Sequence, residues 1–468
     1  MRFFLLLTAL APLTALAQNA HNPNEPTPLE PKQPLTQDAL YQDPNLTAHL
    51  LDQAIVDNNL ENISALLDIY ENSANANQQL IRYAKANLAQ QQNRLKDAIA
   101  LYREMLAQES NLPPVRLKLA LALIADHQDS AAQDQLQRLH SEPLPEDIQQ
   151  LIEQQLTNLQ KKQQWNFEFS AYYQSDNNIN NAPSVQKIIL NTKEQCDQKI
   201  KEAIARGESN YFCPTERSYP AREQAKGIHY NVSADKTFTH ANGYYSAINA
   251  SIDGDQWDKS NYNNLNLTLG TSLGWQDLKH NLRINPFINQ RFYANKPYTT
   301  ALGVNLNGQY WLTPNWQLNA NALYSHTKSN QNKTHSNQYY LGSNLLHIAN
   351  AQRYYFAGIG VYHHHADNKS DTYTRPSLNL GWGQEWTQGL STRLTTSLSK
   401  RQYAGAFLVE HKRQDLEYSA SLSLWKRDWH LWGITPKLTL NWNKTDSNHF
   451  YYDNRQSTNA YLEFSKTF

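Results

Sequence analysis

The sequence predicts an α+β multidomain protein, in which an N-terminal α-helical domain is followed by a 14-stranded antiparallel transmembrane β-barrel. All 11 tryptophans and 23 of the 27 tyrosines lie between Trp165 and Phe468. That half of the chain alternates between apolar and polar residues with a period of two, as in Leu416–Leu424, which is typical of strands with one dry and one wet face. The mean hydropathy of −0.72 is compatible with a barrel, because alternating strands average to a polar score.

Residues 1–17 have the pattern of a secretory signal peptide. One arginine and an apolar core precede Ala15-Leu16-Ala17, a small-x-small cleavage site. Residues 18–47 are expected to form a flexible Pro-rich tether, since five prolines fall between His21 and Pro34 and such a segment cannot bury a core. The chain is therefore expected to leave the cytoplasm.

Residues 48–162 are expected to form a helical domain. Between Leu50 and Lys162 there is neither Trp nor Gly, and Ala, Leu and Gln dominate. Small and large residues recur there with a period of 34, the period of the tetratricopeptide (TPR) repeat. We therefore expect a TPR-like domain with a weaker unit around Leu51–Tyr70, and a generic helical bundle is the alternative. The recurring pairs are Ala86 and Ala120, Ala98 and Ala132, Tyr102 and Leu136, and Met105 and Leu139.

Residues 163–468 are expected to form the barrel. Aromatic residues cluster near the ends of the alternating segments, where barrels place interfacial girdles, and short turns alternate with longer polar loops. After Ala17 no apolar stretch approaches the roughly 18 residues that a membrane-spanning helix needs. An even strand count leaves both termini on one side, so the helices are expected in the periplasm. The expected strands begin near residues 165, 226, 242, 259, 279, 297, 315, 337, 352, 372, 390, 413, 430 and 456.

The first connection of the barrel, from Ser175 to about Ala225, is much longer than the others. It contains a helical segment, Glu194–Ala205, and both cysteines of the chain, Cys196 and Cys213. In an oxidising compartment these two cysteines are expected to form a disulfide. Loops of this length are usually functional rather than connective, although a cap that merely shields the barrel mouth is the alternative.

No pattern in the sequence indicates an enzyme, a metal centre or a cofactor. His363-His364-His365 lies where a strand passes into a loop, and neighbouring strand residues point to opposite faces, which disfavours a shared metal. Asp176–Asn180 starts like a calcium loop but has Asn181 where that loop needs glycine. The 42 basic residues balance 42 acidic ones without a basic run, so nucleic acid is not expected as a partner.

The architecture and several local motifs are similar to those of one known family. The motifs are Ser175–Pro183 after the first strand, Arg413–Asp415, Ile434–Leu438 and the closing Lys466-Thr467-Phe468. On these residues the chain resembles the Slam family, the surface lipoprotein assembly modulators, which are the outer-membrane components of type XI secretion. The resemblance spans nearly everything after the Pro-rich tether.

The resemblance implies an outer-membrane translocon. Such a protein moves a specific lipoprotein, or a soluble haem- or metal-binding protein, from the periplasm to the cell surface. Its expected partners are that exported protein, outer-membrane lipid and, during insertion, the barrel-assembly machinery.

Two sets of residues are candidate sites for this transport. From the repeat register, we expect a substrate-binding groove in the helical domain. From the short, polar-ended first strand, we expect a lateral seam between the first and last strands. The groove residues are Tyr83, Asn87, Gln90, Leu117, Leu121 and Ile124, and the seam residues are Trp165, Phe167, Phe169, Leu462, Phe464 and Phe468.

Two other functions remain open on the sequence. An outer-membrane exopolysaccharide exporter with a TPR domain would usually carry a longer repeat array. It would also carry a continuous charged track in its lumen, whereas Arg393, Glu417 and Lys437 are scattered. A passive uptake porin would explain the barrel but would leave the helices without a role.

Overall fold

The computed structural model describes residues 36–162, 165–183, 186–208, 211–406, 411–429, 434–449, 451–453 and 455–467. The predicted signal peptide, residues 1–17, and residues 18–35 of the predicted tether lie outside these ranges. The chain divides into two compact units, Met1–His127 and Gln128–Phe468. In the described part of the chain, no helix is both long and apolar enough to span a bilayer.

The helical region begins earlier than the sequence indicated. Gln37–Gln42 and Pro44–Val56 are helical, although residues 37–47 were expected to belong to the tether. The side chain of Asp43 accepts hydrogen bonds from the backbone of the following turn, and Pro44 occupies the first helical position, where a missing N–H costs nothing. A proline that suggests an unfolded segment therefore starts a helix here.

Eight helices precede the barrel in the described chain. They are α1 (Gln37–Gln42), α2 (Pro44–Val56), α3 (Leu60–Glu71), α4 (Gln78–Gln91), α5 (Leu95–Gln108), α6 (Pro113–Ala125), α7 (Asp129–His140) and α8 (Glu146–Gln160).

The predicted repeat is confirmed by burial. Ala86, Ala98, Ala120 and Ala132 have no exposed surface, and the four large residues of the repeating pairs are at most 3% exposed. Small residues let two helices approach closely, and the large ones fill the space between them. The helical region is TPR-like, and the weaker unit expected around Leu51–Tyr70 is the helix pair α2–α3.

The boundary between the two units lies inside the predicted helical domain. The sequence indicated one domain over residues 48–162, whereas the structure groups α7 and α8 with the barrel. The physical reason is a set of hydrogen bonds and ion pairs between this helix pair and the barrel's turns.

The second unit contains the predicted closed barrel of 14 antiparallel strands, in which β1 pairs with both β4 and β16. The strand starts lie within about five residues of their predicted positions. The strands are β1 (Trp165–Asp176), β4 (Ala225–Thr239), β5 (Tyr244–Trp257), β6 (Asn264–Gln276), β7 (His280–Tyr293), β8 (Lys296–Thr313), β9 (Trp316–Ser329), β10 (His335–Asn350), β11 (Arg353–Ala366), β12 (Tyr373–Glu385), β13 (Leu390–Ala406), β14 (Lys412–Lys426), β15 (Thr435–Ser447) and β16 (Arg455–Thr467).

The two ends of the barrel carry different connections. We call the end at which β1 begins the base, and the opposite end the rim. The base holds short turns, such as residues 314–315 and 351–352. The rim holds the long first connection, which contains a two-stranded sheet of β2 (Lys187–Ile189) and β3 (Glu216–Ser218) and the helix α9 (Lys193–Ala205).

Candidate functional site

One cavity in the lumen of the barrel is lined mainly by uncharged polar side chains. On β7, for example, Leu282 and Ile284 are exposed on the outer face, whereas Asn281 and Arg283 line an internal cavity of about 750 Å³. The only charged residue that lines this cavity, in the described part of the chain, is Arg283. The other polar lining residues include Asn307, Gln309, Asn319, Asn321, Asn344, Asn379, Ser397 and Ser419.

Asparagine side chains on the lumen wall form hydrogen bonds with one another. The Asn321 amide donates to the side-chain oxygens of Asn305 and Asn307 at 2.6 and 2.7 Å. The Asn285 amide donates to Asn249 at 2.9 Å. Amides both donate and accept hydrogen bonds, so such a wall can exchange its internal bonds for bonds to a peptide backbone or to hydroxyl groups.

The scattered lumen charges are paired rather than arranged as a track. Glu417 forms an ion pair with Arg401 at 2.8 Å, and Lys437 pairs with Glu463 at 3.3 Å. The Arg393 guanidinium lies 6.0 Å from the ring centroid of Phe356. These contacts satisfy the charges locally, so they do not form a continuous charged surface for a polyanionic or polycationic ligand.

The ladder between the first strand, β1, and the last strand, β16, is shorter than the ladder that either strand forms with its other neighbour. β1 pairs with β4 at 12 positions, from Trp165 to Asp176, and β16 pairs with β15 at 11 positions. Between β1 and β16 the ladder contains five pairs, from Glu168↔Thr467 to Tyr172↔Glu463. We call this contact the seam.

The rim half of the seam has no backbone ladder among residues that the structure describes. Continuing the register would pair residues 173–176 with residues 459–462, and no such pairs form. Instead the rings of Tyr172 and Tyr461 stack across the seam with centroids 3.9 Å apart. The stacked tyrosines thus lie where the backbone ladder ends.

The described residues predicted for the seam lie in it or beside it, on the outer face. Trp165, Phe167 and Phe169 on β1, and Leu462 and Phe464 on β16, are all exposed. Outward-facing apolar residues on a barrel contact lipid. Phe468 lies outside the described residues.

The first connection closes over the rim end of the seam. The Arg455 guanidinium, at the start of β16, donates to the backbone carbonyl of Asn181 at 2.9 Å. Tyr219 and Tyr451 meet edge to face with centroids 5.0 Å apart. The predicted disulfide between Cys196 and Cys213 is present, with the Cα atoms 5.5 Å apart, and it ties α9 to the segment before β3.

The structure separates the predicted groove residues into two kinds. Asn87 is 2% exposed, and its amide donates to the carbonyl of Tyr83 in the same helix at 2.7 Å, so it is not available to a ligand. Burial raises the pKa of the Tyr83 hydroxyl, and Gln90 accepts a hydrogen bond from Tyr102. Leu117, Leu121 and Ile124 lie half-buried along α6. Substrate binding by Tyr83, Gln90 and these three residues stays a prediction.

A lumen-facing cluster near the seam had no signal in the sequence. His229 on β4 contacts Asp255 on β5 at 2.9 Å, and its ring stacks on Tyr172 at 4.6 Å. These residues come from three strands, and only the register of the sheet brings them together. In the ranges that the structure covers, no group of three or more His, Cys, Asp or Glu side chains is arranged to hold a metal ion.

Comparison with known proteins identifies the family. The model of the surface lipoprotein assembly modifier family matches residues 165–468, and the model of that family's N-terminal TPR repeats matches residues 33–136. The chain belongs to the surface lipoprotein assembly modifier family. The family is named for an assembly role rather than for a catalytic one. Together with the closed barrel, membership supports an outer-membrane location.

Three relatives illustrate the similarity. A surface lipoprotein assembly modifier of Pasteurella multocida is 31% identical, over 98% of this chain and 90% of its own length. Another, from Moraxella catarrhalis, is 32% identical over 95% of this chain and 84% of its own length. The hemophilin secretion modulator of Acinetobacter baumannii is 22% identical over 88% of this chain and 83% of its own length.

Proposed function

We propose that this chain is an outer-membrane translocon that moves a specific lipoprotein, or a soluble haem- or metal-binding protein, from the periplasm to the cell surface. Membership of the surface lipoprotein assembly modifier family is the observation that carries the proposal. The names of two relatives support the two substrate classes, since one is named for surface lipoproteins and the other for the secretion of hemophilin.

In this proposal the base of the barrel faces the periplasm and the rim faces the cell exterior. The N-terminal helices then lie in the periplasm, where Tyr83, Gln90, Leu117, Leu121 and Ile124 collect the substrate. The chemistry of the lumen wall supports the proposal of a polypeptide cargo. Its asparagine amides, which bond to one another here, can also form hydrogen bonds with the peptide groups of a passing chain. Insertion of the barrel itself would use the barrel-assembly machinery.

The seam offers an exit for a lipid-anchored cargo. Carrying an acyl chain through an aqueous lumen would cost about 0.8 kcal/mol for each methylene group that is transferred from lipid to water. A gap between β1 and β16 would keep that chain in lipid while the protein part stays in the lumen. The five-pair ladder supports this route, since fewer backbone hydrogen bonds need to break there than at neighbouring strand pairs.

Surface proteomics on cells that lack this gene tests the proposed function. Intact cells would be shaved with protease, and the released peptides compared among wild type, the deletion and a strain complemented with the full chain. We expect one protein or a few to disappear from the surface of the deletion strain while remaining in its whole-cell lysate. Complementation should restore them.

Other outcomes would point to the competing functions. Loss of a surface polysaccharide with an unchanged surface proteome would indicate an exporter of carbohydrate. Loss of small-solute uptake alone would indicate a porin. Either result would contradict protein translocation. A second strain that lacks residues 36–127 would show whether the first helical unit is required for the same cargo to reach the surface.

A further inference from the structure

The helix pair α7–α8 is built into the base of the barrel. Both helices belong to the same compact unit as the strands. Lys162, just after α8, pairs with Asp129 at the start of α7 at 2.6 Å, and His140 contacts Glu153 at 3.2 Å, so the two helices are held together at both ends. They are about 18 and 22 Å long, at 1.5 Å per residue.

One end of the pair is bonded to three turns of the base. The Arg138 guanidinium donates to the carbonyl of Ala351 at 3.1 Å and lies 3.4 Å from the Glu385 carboxylate. The Glu142 carboxylate accepts a hydrogen bond from the Ala351 backbone N–H at 2.6 Å. The Asn315 amide donates to the carbonyl of Ser141 at 2.9 Å. These contacts reach the β8–β9, β10–β11 and β12–β13 connections.

Arg138 is the centre of this attachment. Its side chain is 16% exposed and that of Glu385 is 10% exposed. Burial by itself lowers the pKa of the guanidinium, but Asp134 and Glu385 together raise it above its usual value. The cation is therefore permanent, and its charge-assisted bonds are available at every physiological pH.

The other end of the pair is bonded to the next two turns around the barrel. The Gln276 amide donates to the carbonyl of Gln160 at 3.0 Å, and the Gln160 amide donates to the carbonyl of Asp277 at 3.3 Å. The Thr239 hydroxyl donates to the carbonyl of Lys161 at 3.3 Å. The pair, with Lys161 that follows it, thus contacts turns or strand ends at five successive base connections, from β4–β5 to β12–β13.

A cavity separates the helix pair from the lumen. It measures about 240 Å³ and is lined by Ser130, Gln133 and Gln137 of α7 on one side. Its other side includes Asn281, Arg283 and Gln309, which also line the 750 Å³ cavity of the lumen. Because the same three residues border both cavities, the helix pair lies next to the lumen at the base, with only the smaller cavity between them.

We propose that α7–α8 is a gate that closes the base of the barrel and opens by releasing its polar contacts with the turns. The named contacts are hydrogen bonds and ion pairs to turns and strand ends, which water can replace on opening. A gate held in this way keeps the lumen shut to solutes as long as these contacts are intact. The proposal does not rest on the proposed function, because a closed lumen can be measured without any cargo.

The test is the conductance of the purified full chain in planar lipid bilayers. Wild type should show rare openings. Arg138→Ala combined with Glu142→Ala should raise the open probability by about tenfold or more, since the loss of one hydrogen bond to a charged group changes an equilibrium by roughly that factor. Cells that carry this double variant should also become sensitive to antibiotics too large for general porins.

A matched variant outside the attachment is expected to behave as wild type. Arg82→Ala removes a helix arginine that pairs with Glu104 at 2.9 Å within the first unit. Heat-modifiable migration of each variant would verify that the barrel is folded. A wild type that conducts steadily, or a folded double variant that stays as closed as wild type, would overturn the proposal.

Discussion

Cys196 and Cys213 give the rim its one covalent constraint in the described chain. The bridge closes a loop of about 18 residues, and such a closure stabilises the folded segment by about 3 kcal/mol through the lost freedom of the unfolded loop. The residues of α9 around Cys196 are largely exposed, so little else holds this helix in place.

Replacing both cysteines, Cys196→Ser with Cys213→Ser, should therefore loosen residues 186–218 without unfolding the barrel. We expect trypsin added to intact cells to cut this segment at least tenfold faster than in wild type. Reduction of the wild-type protein should produce the same acceleration. Equal cleavage rates in the oxidised wild type and the variant would show that the bridge does not hold the loop.

Some of the contacts described above could be predicted from the identity of the residues, and others could not. Two cysteines in an exported chain leave one possible intramolecular pairing, so the disulfide could be predicted. The repeat register assigned Asn87 to the groove, but the register does not reveal the hydrogen bond to the Tyr83 carbonyl that lets this side chain be buried. The partners Arg138 and Glu385 are 247 positions apart (385 − 138), and no local pattern connects them.

Helix α6 carries three of the groove residues and gives the groove its sharpest test. Leu121→Asp places a charge on a half-buried position that should contact cargo, and we expect surface display of the exported protein to fall at least fivefold. Leu60→Asp is the matched control, since Leu60 is an exposed leucine of α3 outside the groove. Normal display with Leu121→Asp, at wild-type protein levels, would remove α6 from the binding surface.

The strands were predicted well because their pattern is local. Alternation along one strand is set by the lipid on one side and the lumen on the other, so each segment carries its own signal. Prolines within the strands do not follow from this alternation, because proline cannot donate a ladder hydrogen bond. Pro376 pairs with Val361 on β11. On its other side, the ladder between β12 and β13 skips from Thr374 to Ser377. The proline therefore lies where its strand has no ladder pair with β13, so its missing N–H is tolerated.

The rim loops are shorter than the polar segments of the sequence suggest. Residues 326–337 are all polar, but β9 continues to Ser329 and β10 begins at His335. Polar residues continue the ladder beyond the apolar band, and hydropathy patterns do not reveal where pairing stops. The early start of α1 and α2 was missed for a related reason, because a proline signals either a break or a first helical turn.

The molecule as a whole has two closures around one lumen. The pair α7–α8 lies at the base, and the short ladder of the seam runs up the wall toward the rim connection that covers it. The place of the seam, between the first and last strands, could be predicted from sequence, but the closure at the base could not, since it depends on contacts such as Arg138–Glu385 between residues far apart in the chain. A transport cycle that opens the base and the seam in turn would let a protein pass while the membrane stays sealed to solutes.

Locking the seam tests most directly the proposed transport of a lipid-anchored protein by this barrel. Ser170 and Ser465 face each other in the seam ladder, and Ser170→Cys with Ser465→Cys would cross-link β1 to β16. Ser397 and Ser419 face each other on β13 and β14 with hydroxyls 2.7 Å apart, so Ser397→Cys with Ser419→Cys is a matched lock elsewhere. Under oxidising conditions we expect the seam lock to stop surface display of the cargo and reductant to restore it, while the matched lock has no effect. Undiminished display with a fully cross-linked seam would contradict the account.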